Sequence, residues 1–185
     1  MPYQTLFPGQ EPDEKIIMVL RRHWWILFKI VFSYGMLSLL PLFFRYIIIN
    51  YSNLLDSETA LIILNLSLSL YYIFVLTFFF RSWLDYYLDV WVITSKRIVN
   101  IEQKGLFSRQ ISTQRLYRIQ DVTAEVKGIL PTFLHYGNVH IQTAGPMPRF
   151  IFKQIPNPYE VTRKIMTLVN WKKRVLAKQG IIKGA

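Results

Sequence analysis

The sequence predicts an α+β membrane protein: a two-helix transmembrane hairpin followed by a small β-barrel plugged by a C-terminal helix. Three observations carry this. Two segments of spanning length are almost purely apolar. The residues after them switch to short, alternating, turn-bounded runs. The last apolar pattern has the spacing of an amphipathic helix. The chain has 185 residues, 52% of them hydrophobic, which exceeds the share in a soluble domain.

The second apolar segment is the cleaner. Ala60 to Phe80 holds 21 residues without a charge, 14 of them Leu, Ile, Phe or Val. A spanning helix needs about 20 such residues. The first runs from Trp24 to Phe44. Lys29 lies inside it, near enough to the end for its ammonium to snorkel to the headgroups, as Arg45 does at the other end. Pro41 is tolerated in a membrane helix. Acidic residues precede this segment and no small-x-small cleavage site follows it, so it reads as a retained anchor. Asn65 and Ser69 share a helix face and are placed to bond Ser33 or Ser38 of the partner helix.

Orientation follows from charge. Lys15, Arg21 and Arg22 precede the first span. The connecting loop has only Arg45, with Asp56 and Glu58, and the segment after Phe80 is strongly basic. Both termini are therefore expected in the cytoplasm, at a cell membrane crossed twice. Trp24, Trp25, Trp83, Tyr86 and Tyr87 would form one aromatic belt at that interface. Asn50-Tyr51-Ser52 matches a glycosylation sequon in the outer loop, a pattern short enough to arise by chance.

The domains expected are a cytoplasmic segment 1–23, the hairpin 24–80 with spans 24–44 and 60–80, a globular domain 84–170 and a basic tail 171–185. In the globular domain, strands are expected over Asp85 to Thr94, Arg97 to Gln103, Ser108 to Gln114, Tyr117 to Val126, Asn138 to Thr143 and Arg149 to Ile155. Turns fall at Ser95-Lys96, Lys104-Gly105 and Ala144 to Pro148. Ile129 to Tyr136 reads as a loop or short helical turn. A helix starts at Asn157, with Pro158 first and Glu160 third, a capping-box arrangement. Val161, Ile165, Leu168, Val169, Val175 and Leu176 line one face; Lys172 interrupts it and Gly180 stops the helix. Strands and helix together should fold without the anchor from residue 84 onward.

The strings TSKRIVNIEQKGLFSRQ (94 to 110), YRIQDV (117 to 122), YGNVHIQTAG (136 to 145) and FIFKQIPNPYEV (150 to 161) resemble the bacterial pleckstrin-homology-like domain family. With the N-terminal hairpin, the chain is similar to the YdbS-like membrane proteins. The resemblance implies a PH-like split β-barrel capped by the C-terminal α-helix, a membrane location and no known enzymatic activity.

No side-chain constellation points to chemistry. There is no cysteine, and no paired-His, acidic or glycine-rich phosphate pattern. No catalytic residue, cofactor or metal is expected. His140 reads as a solvated surface histidine, and Asp85 with Asp89 as a polar strand edge. The net charge of +11 suits the cytoplasmic part of a membrane protein, and no nucleic-acid partner is expected. Lys96, Arg97, Lys104, Arg109, Arg115 and Arg118 are basic, but their hairpin turn is too short to cradle a phosphate. Arg97 reads as part of the barrel's structural pattern. Trp171, Lys172, Lys173, Arg174 and Lys178 form a candidate membrane-surface contact.

The expected function is a membrane-anchored, non-catalytic binding or scaffold module. Its partner would be another PH-like membrane protein or a second copy. The alternatives are a sensor of anionic lipid headgroups and an accessory subunit of an export or envelope-stress system.

Overall fold

The computed structural model describes residues 10, 11, 13–51, 58–103, 105, 108–143 and 150–180. The chain forms two units: Trp24–Tyr86, and a second that joins the residues before Trp24 to those from Tyr87 onward.

The first unit is a helical pair, α1 (Trp24–Tyr51) and α2 (Glu58–Leu88). Both are long and apolar enough to cross a bilayer. They outrun the predicted spans. At about 1.5 Å per residue each exceeds the roughly 30 Å of a hydrocarbon core. Asp85 to Leu88, expected in a strand, is the last turn of α2. Tyr86 and Tyr87 favour strands, but no Gly or Pro interrupts α2, and propagation of a formed helix outweighs that preference. The predicted Asn65 and Ser69 bridge is absent: Ser69 donates to the Asn65 carbonyl, and Asn65 faces Arg45 at 3.4 Å. Tyrosines join the helices instead. Tyr71 donates to the Leu37 carbonyl at 2.8 Å and Tyr72 to the Ser38 carbonyl at 3.0 Å. Tyr34 of α1 lies 2.9 Å from the Ser82 hydroxyl. Ser52 and Asp56, used in reading the loop, lie outside the described residues.

The second unit is a split barrel. Its first strand, β1 (Ile16–Arg21), comes from residues 1–23, read above only as a cytoplasmic segment with no strand expected in it. It pairs antiparallel with β2 (Val90–Thr94), from Ile16 opposite Thr94 to Arg21 opposite Val90. β3 (Arg97–Gln103) and β4 (Arg109–Arg115) complete a sheet in the order β1-β2-β3-β4. A 3-10 turn, Leu116–Arg118, leads to β5 (Ile119–Glu125). The short α3 (Ile129–Phe133) precedes β6 (Tyr136–Thr143), and β7 (Phe150–Pro156) closes a second sheet, β5-β6-β7. The helical pair is thus inserted in the chain between β1 and β2. Lys104, Ala144 to Pro148 and Arg149 lie outside the described residues.

One core fills the space between the sheets. Leu20 of β1, Trp91, Ile93 and Ile98 of the first sheet meet Val139, Ile141 and Phe152 of the second. The Trp91 and Phe152 rings are 5.4 Å apart. α4 (Pro158–Lys178) plugs the core with Val161, Ile165 and Val169, all buried. Beyond Val169 the helix leaves the core, where Lys172 interrupts the apolar face. Gly180, at φ +69°, follows the helix end as expected. The capping box does not form. Asn157 adopts the left-handed conformation, with no side-chain cap bond. Its backbone N–H, which Glu160 would have accepted, donates to the His135 carbonyl at 2.8 Å.

This topology corrects the expectation that the domain folds from residue 84 alone, because such a fragment lacks β1. Burying a residue such as Leu20 contributes roughly 1.5–3 kcal/mol. A fragment of residues 84–185 should lose cooperative urea unfolding. A chain joining residues 10–22 directly to 89–180 through a short Asn-Gly turn should regain it. Equal, cooperative unfolding of both would contradict the role given to β1.

Candidate functional site

Three clusters of polar and charged side chains could carry chemistry, the first at the basic turn between β2 and β3. Glu14, immediately before β1, has a fully buried side chain. Arg97 approaches it as a fork, Nε at 2.9 Å from Oε1 and a terminal nitrogen at 2.8 Å from Oε2. The Thr94 hydroxyl donates to Oε1 at 2.6 Å. Burial opposes the charge on Glu14, but the bonds from Arg97 and Thr94 outweigh it and hold the carboxyl down at about 2. Lys96 lies 2.5 Å from Glu11 and 2.7 Å from Asp13. The turn's two cations therefore face carboxylates of the N-terminal segment. Arg97 has the structural role expected of it, and Lys96 is neutralised.

A second cluster sits at the opposite end of the β1–β2 pair, where the chain passes to the helices. Asp89, 2% exposed, ion-pairs with Arg22 and accepts the Gln103 N–H at 2.9 Å. It is a buried partner, not the edge residue that was expected. The Arg21 guanidinium lies 5.4 Å over the Tyr87 ring. The His23 N–H donates to the Gln154 carbonyl at 2.7 Å, and its ring stacks on Tyr136 at 5.1 Å. Burial holds the His23 imidazole below its usual range. Both chain passages are thus tied in: Asp89 to β3 of the first sheet, His23 to β6 and β7 of the second. Gly137 lies here too. A Cβ on it would come 2.6 Å from the Glu125 carbonyl, so only glycine lets β5 and β6 approach this closely.

The third cluster is polar. His140 lies 2.9 Å from Glu125, which also pairs with Lys127. Lys127, then His140, draw the Glu125 carboxyl below its usual range. His140 is therefore half-buried and paired, not freely solvated. No group of His, Asp and Glu suited to a metal occurs among the described residues. Arg115 donates to the Tyr117 hydroxyl at 3.3 Å, and Arg118 lies over that ring.

The candidate membrane-contact residues fall at the far end of α4. Trp171, 54% exposed, Arg174 and Lys178 are exposed, while Lys172 and Lys173 are half-buried. α4 starts beside His135, next to the chain passage, and its 21 residues extend roughly 30 Å from there. Sequence reasoning missed a different set: Ile129, Leu130 and Phe133 of α3, which are exposed. An apolar run between strands reads as core, and nothing local to it signals exposure.

A family model described as "Bacterial PH domain" matches residues 26–169. No curated protein matches the chain. Among solved structures, it is similar to a DUF1696-family protein with a pleckstrin-homology domain from Shewanella loihica PV-4, at 15% identity, covering 44% of this chain and 70% of that one, with a TM-score of 0.36.

The clamp on Glu14 has a measurable consequence. Removing one partner of a buried ion pair costs about 3–5 kcal/mol, because the other charge is left uncompensated. Glu14→Gln should destabilise the barrel at neutral pH. The folded pKa of Glu14 lies below its unfolded value, so the clamp's contribution is complete above about pH 5 and fades as pH falls toward 2. Unfolding of both proteins across pH 7 to 2.5 should show the gap between them narrowing. A gap that stays constant, or widens with acid, would contradict the assignment.

Proposed function

The chain belongs to the bacterial PH domain family, and on that premise we propose that it is a membrane-anchored cytoplasmic binding or scaffold module, not an enzyme. One observation carries the reading: the two apolar helices are inserted within the barrel's own chain. Arg22 and His23 alone connect β1 to α1, and Asp89 alone connects α2 to β2. The barrel is thus joined to the helices through two neighbouring strands rather than through one terminus. That suits presenting a surface to another membrane protein or to a second copy. Arg21 and Val90 pair side by side, which supports placing both termini on one side of the bilayer, and the Lys/Arg asymmetry favours the cytoplasm.

The second reading is a sensor of anionic headgroups, supported by the net charge of +11. It has less support. Lys96 and Arg97 are engaged by carboxylates, and of the candidate contact Trp171, Lys172, Lys173, Arg174 and Lys178, two residues, Lys172 and Lys173, are half-buried. A role as accessory subunit of an export or envelope-stress system rests on resemblance alone.

The chain has no native cysteine, so single cysteines test the topology directly. In intact cells, an impermeant reagent should label Ser52→Cys and spare Gln142→Cys until the membrane is permeabilised; the reverse pattern contradicts the reading. Photo-crosslinkers at Ile111 and Ile151, both on the barrel's exposed surface, should capture a discrete membrane protein or a second copy. Lipid adducts alone, abolished by removing residues 172–185, would favour the headgroup sensor.

A further inference from the structure

We propose that a groove between α1 and α2, opened at Pro41, holds one anionic phospholipid, with an acyl chain against both helices and its phosphate on the Arg45 guanidinium. The inference rests on the membrane-anchored reading and adds a ligand to the helical pair.

The sequence builds the groove. Pro41 lies inside α1 and has no N–H, so the Leu37 carbonyl, four residues before it, loses its helical donor. A carbonyl without a donor is costly in lipid. The Tyr71 hydroxyl of α2 supplies the missing bond at 2.8 Å, and the Tyr72 hydroxyl bonds the next carbonyl, that of Ser38, at 3.0 Å. The helices are thus pinned at this level. Toward the C-terminal end of α1 they leave a groove of about 330 Å³ between them, with Pro41 and Tyr71 in its wall. The rest of the lining is apolar on both helices, as at Phe44 and Leu68, apart from Ser67 and Arg45. A groove held open by bonds to the backbone needs little ordering when a ligand enters.

Charge selects the occupant. Arg45 is exposed. Its Nη1 donates to the Asn65 side-chain oxygen at 3.4 Å, and among the described residues no carboxylate pairs with it. Glu58, the start of α2, is seven residues from Asn65, roughly 10 Å along the helix. A guanidinium with most of its N–H groups unused, beside an amide that can also donate, matches a phosphodiester. A zwitterionic headgroup would set its own ammonium beside Arg45, where the lining offers no carboxylate; an anionic headgroup would not. Basic pockets between membrane helices bind such headgroups.

Depth agrees with charge. Arg45 lies 21 residues beyond Trp24, about 32 Å of helix rise, against roughly 30 Å of hydrocarbon core. With Trp24 at the headgroup boundary where α1 enters, Arg45 reaches the phosphates of the opposite leaflet. Volume argues against a protein helix as the occupant. With its side chains a helix is about 10–12 Å across, whereas this groove is at the low end of small-ligand sites, about 300–1,000 Å³.

The test uses the full chain, purified in detergent with phosphatidylcholine and phosphatidylglycerol and read by native mass spectrometry. One phosphatidylglycerol per chain should be retained in preference to phosphatidylcholine. Arg45→Gln should lower that retention about ten-fold. Leu68→Trp, which fills the groove and leaves Arg45 in place, should lower it similarly; an arginine that only snorkels, or that binds a free anion, would not respond. Retention unchanged in either variant, or equal for the two lipids, overturns the site. A photo-crosslinker at Ile48 in native membranes should form lipid adducts, and a protein adduct there instead overturns the lipid as occupant. A fluorophore on Leu70→Cys, with lipids carrying a nitroxide deep in the bilayer, reads insertion separately. Deep quenching without lipid retention rejects the site and leaves the anchored reading standing; no quenching overturns the anchored reading itself.

Discussion

The fork from Arg97 to the buried Glu14 closes a long detour of the chain. β1 and β2 are hydrogen-bonded neighbours, yet the whole helical pair lies between Arg21 and Val90. Loop-closure entropy grows as the logarithm of loop length, so replacing a tight turn by such an insertion costs about 3 kcal/mol. The pairing must recover this. Leu20 contributes burial in the core. At one end of β1 the Glu14 carboxylate takes bonds from Arg97 and Thr94; at the other, Asp89 takes Arg22 and the Gln103 N–H. Each of these groups is buried or half-buried, so loss of either partner would strand a charge away from water. An insertion already folded as a helical hairpin in a bilayer would lower the closure cost further, since its ends are then held together.

The second passage binds the two sheets to each other. His23 stands between β1 and α1 but bonds Gln154 and stacks on Tyr136 of the other sheet. Lys153 of β7 reaches Glu102 of β3 at 2.9 Å. His135, Gln154 and Asn157 at this end are all at positive φ, with the Gln154 N–H held by the Asn138 side chain at 2.9 Å. Non-glycine residues keep such conformations where surrounding bonds over-determine them. The barrel is thus cross-linked where the chain leaves it.

Most of the barrel was legible because its signals are local. Alternation in β5 and β6, the Ser95-Lys96 turn and the apolar stripe of α4 each specify an element within a dozen residues, and the structure places them where the patterns do. β1 was not legible. Ile16 to Leu20 is an unbroken apolar run without alternation, and its partner lies beyond the helical pair, so no window of sequence contains both. The pairing of Glu14 with Arg97 was opaque for the same reason. The tyrosine bonds between α1 and α2 escaped because their acceptors are backbone carbonyls, which side-chain spacing does not encode. The exposed α3 escaped because composition does not distinguish an apolar residue that packs from one that projects.

The central claim is that β1 is an integral strand of the barrel despite the insertion. Amide hydrogen exchange on the full chain in lipid nanodiscs tests it most directly. The Met18 to Leu20 amides that are bonded to β2 should be protected to the same degree as those of β3, and Glu14→Gln should reduce that protection together with that of β2. Exchange of this segment at the rate of an unstructured chain, with β2 and β3 still protected, would contradict the account.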